Sequence, residues 1–460
     1  MNAFWQLTAP ARATAVIEAA SGRAISYGQL AGDADQVADS LGRSAGKGLV
    51  FLFCRNDYAT LAAYLGCVRA GQAIALLPAG GVRHAEAWLE AYRPEWVLAP
   101  AGLGPFTGYS ATAVPAGLPA WRRLPVDPAG SLHADLALLL TTSGSTGSPK
   151  MVRLSSANLS ANAAAIATYL GLTPAECAPT TLPLSYSYGL SVVHSHLAAG
   201  ATLLLGEFPV VQRESWACLT RHGATSFAGV PLLYQTLRRL RFDPRTQPAL
   251  RTYTQAGGRL EGDTQRWFLD AAASARFFVM YGQTEATARI SYVPPERLRE
   301  KPDSIGRAIP GGELSLDPAN GEILYRGPNV MLGYAQNRAD LALGDTQHGQ
   351  LRTGDLGAVD AEGFYAITGR LKRFLKIAGL RVGLDELERH LEVELDGPVA
   401  CSGVDEALQV HTEATLPAAR IHALLQEKFG LPPSLVGVHT GRPLARLATG
   451  KIDYAALIHA

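Results

Sequence analysis

Thr141–Lys150 reads TTSGSTGSPK and follows the apolar run LALLL, Leu136–Leu140. Nine residues of Ser, Thr, Gly and Pro lead into one lysine. Backbone N–H groups of a Gly-rich loop can ring an anion, and hydroxyls and a lysine strengthen the grip. Thr142, Ser143, Gly144, Ser145, Thr146, Gly147 and Lys150 supply that chemistry. The spacing is not that of G-x4-G-K-[ST], since Gly144 and Gly147 are three apart and Pro149 precedes Lys150. Nor is it G-x-G-x-x-G. A flexible Ser/Gly connector is the bland alternative. Position argues against it. An apolar strand precedes the loop, and LSSANLSANAAAIATYLG (Leu154–Gly171) behind it reads as a helix.

Working outward, apolar runs at Gly48–Phe53, Ala73–Pro78, Ala201–Gly206, Ala224–Val230 and Ala275–Gly282 read as buried strands. Helical patterns at Tyr58–Gly71 and Glu214–Gly223 lie between them. Such alternation predicts an α/β fold with mainly parallel sheets. The Gly/Pro/Ala-rich stretch Gly102–Pro119 reads as a surface connection. From about Gly306 short β runs turning at ANG predict a small β-rich unit. A basic strand then leads into an amphipathic helix near Leu384–Asp385. The expected division is a large N-terminal domain, 1–371, and a small mobile α/β lid, 372–460.

Composition narrows the function. The 460 residues are 47% hydrophobic and 18% charged, with net charge +1. That suits a globular enzyme and offers no bulk attraction for nucleic acid or an anionic membrane. No apolar run reaches the roughly 18 residues of a membrane span. The N-terminal MNAFWQLTAPARATAV lacks a basic segment followed by an apolar core, so a cytoplasmic location is expected. Five scattered cysteines read as reduced and structural. His194 and His196 lack further ligands at metal spacing, and no G-x-S-x-G elbow is present. Only seven of the 41 basic residues are lysines, so each lysine merits attention.

Five ordered stretches carry a resemblance: LLLTTSGSTGSPKMV, VMYGQTEAT (Val279–Thr287), GEILYRGPNVMLGY (Gly321–Tyr334), RTGDLGAVDAEGFYAITGRLKRFLKIAGLRV (Arg352–Val382) and ATGKIDY (Ala448–Tyr454). Together they resemble the adenylate-forming superfamily of acyl- and aryl-CoA synthetases, peptide-synthetase adenylation domains and firefly luciferase. That resemblance implies ATP and Mg2+, a carboxylic acid activated as an acyl-adenylate, and transfer to a thiol, with CoA expected. A carrier protein or an amine is the alternative acceptor. A catalytically silent ligand-binding relative is the reading from another class. Luciferase-type oxygenation has nothing here to speak for it.

The same resemblance implies roles. Thr142–Gly147 and Lys150 would hold the β- and γ-phosphates. Tyr281, with Gly282, Gln283 and Gly257, would border the adenine. Thr284 and Glu285 would act beside the phosphates, with Glu285 ligating magnesium. Asp355 would accept from the ribose hydroxyls and Arg370 would reach ribose or phosphate. Lys451 would orient the attack and offset developing charge. Lys372 would serve as the hinge. Thr181–Leu205 would line the acid pocket, with Tyr186 as gate and Gly189, Gly229 and Gly258 leaving room. Ser187 stands where amino-acid-activating domains place an aspartate, so a neutral acid is expected rather than an α-amino acid, and the apolar character of the pocket segments favours a fatty or alicyclic one. Lys372 and Lys451 lie 79 residues apart, a shorter lid than usual.

Overall fold

A computed structural model describes residues 3–42, 46–80, 85–115, 117–124, 130–141, 150–371, 373–377, 380–447 and 450–458. Thr142, Ser143, Gly144, Ser145, Thr146, Gly147 and Lys372 therefore lie outside the described residues. The chain forms two compact units. One comprises Met1–Pro302, Gly306–Glu313 and Tyr325–Leu351; the other comprises Asp303–Ile305, Leu314–Leu324 and Arg352–Ala460.

The first unit is built on strands that the apolar runs announce. Leu49–Cys54 is buried at every residue and pairs in parallel with Ala73–Pro78 and Trp96–Leu98. A strand covered on both faces has no polar side to show, which is why these runs do not alternate. Helix Tyr58–Arg69 begins where the Asp57 side chain accepts from the Thr60 N–H. A second sheet carries Ser226–Gly229, Thr252–Gln255 and Arg276–Tyr281 in parallel. Ser291–Val293 then returns antiparallel to Arg276–Tyr281. The carboxyl ends of the three parallel strands lead into Val230, Ala256 and Gly282. In open α/β sheets that edge is where ligands bind.

Two readings change. Leu136–Thr141 is a buried strand and Ser156–Leu170 is a helix, but Met151–Ser155 between them is also a strand, antiparallel to Leu136–Thr141. The Gly-rich stretch therefore joins two antiparallel strands and does not run straight into a helix. Strand and helix adjoin at Ser155, whose side chain caps the helix through a capping box with Asn158. Within Gly102–Pro119, Tyr109–Ala113 is a strand at the sheet's edge, paired with Pro119–Arg123. Most of its residues are exposed, so no apolar alternation marked it.

In the second unit, residues 355–359 pair antiparallel with Tyr365–Arg370. The hairpin Phe374–Ile377 with Leu380–Gly383 leads into helix Leu384–Leu395. A three-stranded sheet, Val399–Val404, Ala407–Thr412 and Val436–Thr440, follows. Leu387, Leu391, Val399, Leu408, Ile421 and Leu425 form its core. Among the described residues no helix is long and apolar enough to cross a membrane.

Candidate active site

In the first unit, Arg276–Tyr281 ends on Tyr281 and the chain folds into a 3-10 turn, Thr284–Ala286. Gly282 permits this. A Cβ there would lie 1.7 Å from the Ala288 carbonyl oxygen, so the turn closes directly onto the strand end. The Gln283 Nε2 donates to Tyr281 Oη at 3.1 Å. Glu285 is held at both ends. Its carbonyl accepts from the Met331 N–H at 2.9 Å, and its carboxylate accepts from Tyr334 Oη at 2.9 Å.

Tyr334 joins two motifs. Lys150 Nζ lies 3.6 Å from the centroid of its ring, while its hydroxyl holds Glu285. Burial and the nearby Glu285 carboxylate push the phenol well above its usual range. Register explains the meeting: Gly333–Ala335 pairs antiparallel with Met151–Ser155, setting Ala335 opposite Met151. Fully buried Arg153 clamps that pairing. It donates to the carbonyls of Tyr334 at 3.0 Å and of Leu332 and Gly344 at 3.2 Å, and also to that of Leu343. Tyr334 and Arg153 had no assigned role in the sequence. Tyr334 closes the GEILYRGPNVMLGY stretch, and that position is the signal that would have pointed to it.

The acid-pocket candidates gather at the start of helix Ser187–Ala198. Ser187 Oγ lies 3.3 Å from Thr284 Oγ1. Gly257 has φ +90°, and a Cβ there would meet Tyr186 Oη at 2.6 Å. Burial raises the Tyr186 phenol. Gly189 and Gly229 serve close packing: a Cβ would lie 2.3 Å from the Pro183 carbonyl and 2.9 Å from the Tyr234 ring, respectively. Gly258 is exposed, beside Pro231. The two histidines go separate ways. His194 Nε2 lies 2.8 Å from Tyr64 Oη, and His196 Nδ1 lies 2.8 Å from the Val192 carbonyl.

In the second unit, Asp355 is 2% exposed and sits opposite Arg370 in register. Arg370 Nε lies 3.0 Å from its Oδ1. Thr353 Oγ1 accepts from the Asp355 N–H at 3.1 Å and donates to the Ile323 carbonyl at 2.7 Å. Lys451 lies near the C-terminal end of the described residues. Its carbonyl accepts from the Leu447 N–H at 2.8 Å, and Arg446 bridges Ile452.

A family model described as "AMP-binding enzyme" matches residues 4–335. The chain belongs to the AMP-binding enzyme family. Among this AMP-binding enzyme's curated relatives, the oxalate–CoA ligase of Arabidopsis thaliana is 32% identical over 271 residues, 55% of this chain and 52% of that protein. The 2-succinylbenzoate–CoA ligase of Bacillus subtilis (strain 168) is 30% identical over 282 residues, 59% of this chain and 56% of that protein. The chain thus spans about half the length of the curated relatives it matches. Among solved structures, the o-succinylbenzoate CoA synthetase of B. subtilis with its acyl-adenylate intermediate aligns at TM-score 0.76 and 21% identity, covering 100% of this chain and 98% of that one. The ATP-bound MatB of Rhodopseudomonas palustris aligns at TM-score 0.79 and 23% identity, covering 99% and 97%. The AMP-binding enzyme therefore has the α/β adenylate-forming fold that its sequence motifs resemble.

Proposed function

We propose that the protein is an AMP-forming carboxylic acid ligase that passes its acyl group to CoA. One observation carries the reading: a single tyrosine ring holds the lysine that ends the Gly-rich loop on its face and the YGQTE carboxylate on its hydroxyl. A cation and a carboxylate set beside the end of a parallel sheet suit a polyphosphate and its metal. The CoA ligases among its relatives support CoA as the acceptor.

In the first half-reaction an acid oxygen attacks the α-phosphorus of ATP and the bond to pyrophosphate breaks. In the second, a thiol sulfur attacks the acyl carbon, AMP leaves, and the thiol proton passes to solvent. Positioning and charge neutralisation dominate such displacements. Thr142–Gly147 and Lys150 hold the β- and γ-phosphates in this scheme. Tyr281, Gly282, Gln283 and Gly257 border the adenine, and Asp355 and Arg370 engage the ribose. Glu285 suits Mg2+, which takes one or two carboxylates and completes its shell with phosphate oxygens and water. The metal would neutralise phosphate charge there. Thr284 and Ser187 flank the reacting carboxyl, and Tyr186 gates the acid pocket. Lys451 supplies the cation at the α-phosphate, carried by a lid that turns at Lys372, with 1–371 as the body and 372–460 as the lid.

The test is ATP–pyrophosphate exchange across a panel of carboxylic acids. Exchange is expected with some acid, and Lys451→Ala should lower it by on the order of 10²–10³-fold. An inactive panel sinks the ligase reading, and undiminished exchange in Lys451→Ala sinks the lysine assignment. Adding CoA, or a carrier protein bearing its thiol, and weighing the product identifies the acceptor.

A further inference from the structure

Arg289 is a buried cation. It is 2% exposed, and its Nε and Nη1 have no hydrogen-bond acceptor. Among the described residues no carboxylate pairs with it. Its neighbours are aromatic. The guanidinium lies 3.9 Å over the Tyr188 ring. Burial raises the phenols of Tyr169, Tyr186 and Tyr188, and the charge of Arg289 opposes that rise in all three.

The backbone that carries Arg289 is held from several sides. Thr287 and Ala288 just before it have φ of +57° and +105°, conformations that side chains with a Cβ keep only when their surroundings impose them. Asn329 Nδ2 donates to the carbonyls of Ala286 at 2.8 Å and of Arg289 at 2.9 Å. Asn162 Nδ2 donates to the Arg289 carbonyl at 3.2 Å. The turn that forms YGQTE thus also drives a guanidinium inward.

That guanidinium lines a cavity of about 20 Å³, whose other walls are apolar side chains such as Ile166, Leu170 and Leu172 together with the polar Ser195, Ser226 and Thr254. Such a space takes a small group and no alkyl chain. Water would satisfy the N–H groups but brings no charge, and a guanidinium withdrawn from water is costly unless an anion pairs with it. Tyr186, which borders Gly257, lies beside Tyr188 with ring centroids 6.3 Å apart, and Tyr188 lies under Arg289.

We propose that Arg289 receives a second carboxylate at the far end of the substrate, which makes that substrate a dicarboxylic acid with its reacting carboxyl beside Thr284 and Ser187. The assignment rests on the ligase reading above. It differs from the fatty or alicyclic acid expected from the sequence, because a buried guanidinium favours an anionic end over an alkyl one.

The test compares linear C4–C8 dicarboxylates with monocarboxylates of equal length, by pyrophosphate exchange and by the shift in Tm on binding. The proteins are wild type, Arg289→Met and Arg289→Lys. In wild type the best dicarboxylate should exceed its monocarboxylate by about 10²-fold or more in kcat/KM, as a site with polar groups to satisfy rejects the analogue that lacks the partner. Dicarboxylates should raise Tm. Arg289→Met should abolish both effects, and Arg289→Lys should retain part of each. A wild-type preference for monocarboxylates overturns the proposal and needs no variant to fold. So does a dicarboxylate preference that survives Arg289→Met. A Tm rise lost in Arg289→Met but without exchange supports the anion site and sinks the ligase. Exchange with monocarboxylates alone does the reverse. Neither exchange nor a Tm shift overturns both.

Discussion

At Tyr334 one side chain serves two charges. Its ring faces the Lys150 ammonium and its hydroxyl holds Glu285. A cation over an aromatic face is worth about 0.5–2 kcal/mol, and a hydrogen bond to a charged group about 1.5–3 kcal/mol. Tyr334→Phe keeps the first and removes the second. The expected result is a loss of about ten- to a hundredfold in kcat/KM for ATP, read by pyrophosphate exchange. Unchanged kinetics would remove Tyr334 from the site. His194 makes a different forecast. Burial drives its pKa from 6.5 down to about 3, with Phe4 stacked at 3.8 Å and Tyr64 Oη at 2.8 Å. The unfolded imidazole takes its proton near pH 6.5, whereas the folded one waits until about pH 3. His194 therefore costs no stability above pH 6.5. Stability falls as pH drops from 6.5 toward 3, by at most about 1.4 kcal/mol per pH unit. His194→Gln should flatten that part of the urea midpoint's pH dependence, and an unaltered slope would reject the account.

At the scale of elements, the Gly-rich stretch joins antiparallel strands, and the next helix begins only after the second of them. That helix starts at Ser156, where the Ser155 Oγ accepts from the Asn158 N–H at 3.0 Å and the Asn158 Oδ1 accepts from the Ser155 N–H at 2.8 Å. Ser155→Ala should cost about 1 kcal/mol in chemical denaturation. A helix held by packing alone would lose nothing. The turn after Arg276–Tyr281 is less forgiving. Gly282→Ala puts a methyl group where the Ala288 carbonyl stands, so the turn must open and carry Glu285 and Arg289 with it. ATP binding, followed by calorimetry, should be lost together with several degrees of Tm. Wild-type ATP affinity in that variant would mean that the turn does not position the nucleotide.

At the scale of the molecule, the C-terminal part carries its own ionic anchor. Arg373 Nη2 donates to Glu388 Oε1 at 2.7 Å and to the Cys401 carbonyl at 2.9 Å. Its guanidinium lies 4.0 Å over the Tyr454 ring, and the Cys401 N–H donates to Glu388 Oε1 at 2.6 Å. Removing one partner from a buried pair strands the other, at about 3–5 kcal/mol. Glu388→Gln should therefore raise hydrogen exchange in Leu384–Leu395 and Val399–Val404 while the strands around Leu49–Cys54 stay protected. Uniform loosening would show that the two units do not respond separately. Much of this organisation was legible in advance. Buried strands announced themselves as unbroken apolar runs, because a doubly covered strand needs no polar face. The order of the five motifs identified the family. The strand Met151–Ser155 was hidden, because its residues also continue the helix pattern behind them, and only pairing with Leu136–Thr141 distinguishes the two. Arg153 and Arg289 were hidden for a deeper reason. Among 34 arginines nothing local tells a surface cation from a buried one. The sequence by itself determined the fold class, the family and the motif residues, since these depend on local periodicity and on order along the chain. Only the tertiary structure decided that Lys150 and Glu285 share a tyrosine and that Arg289 is buried. Both depend on which residues, far apart in the chain, exclude water from each other.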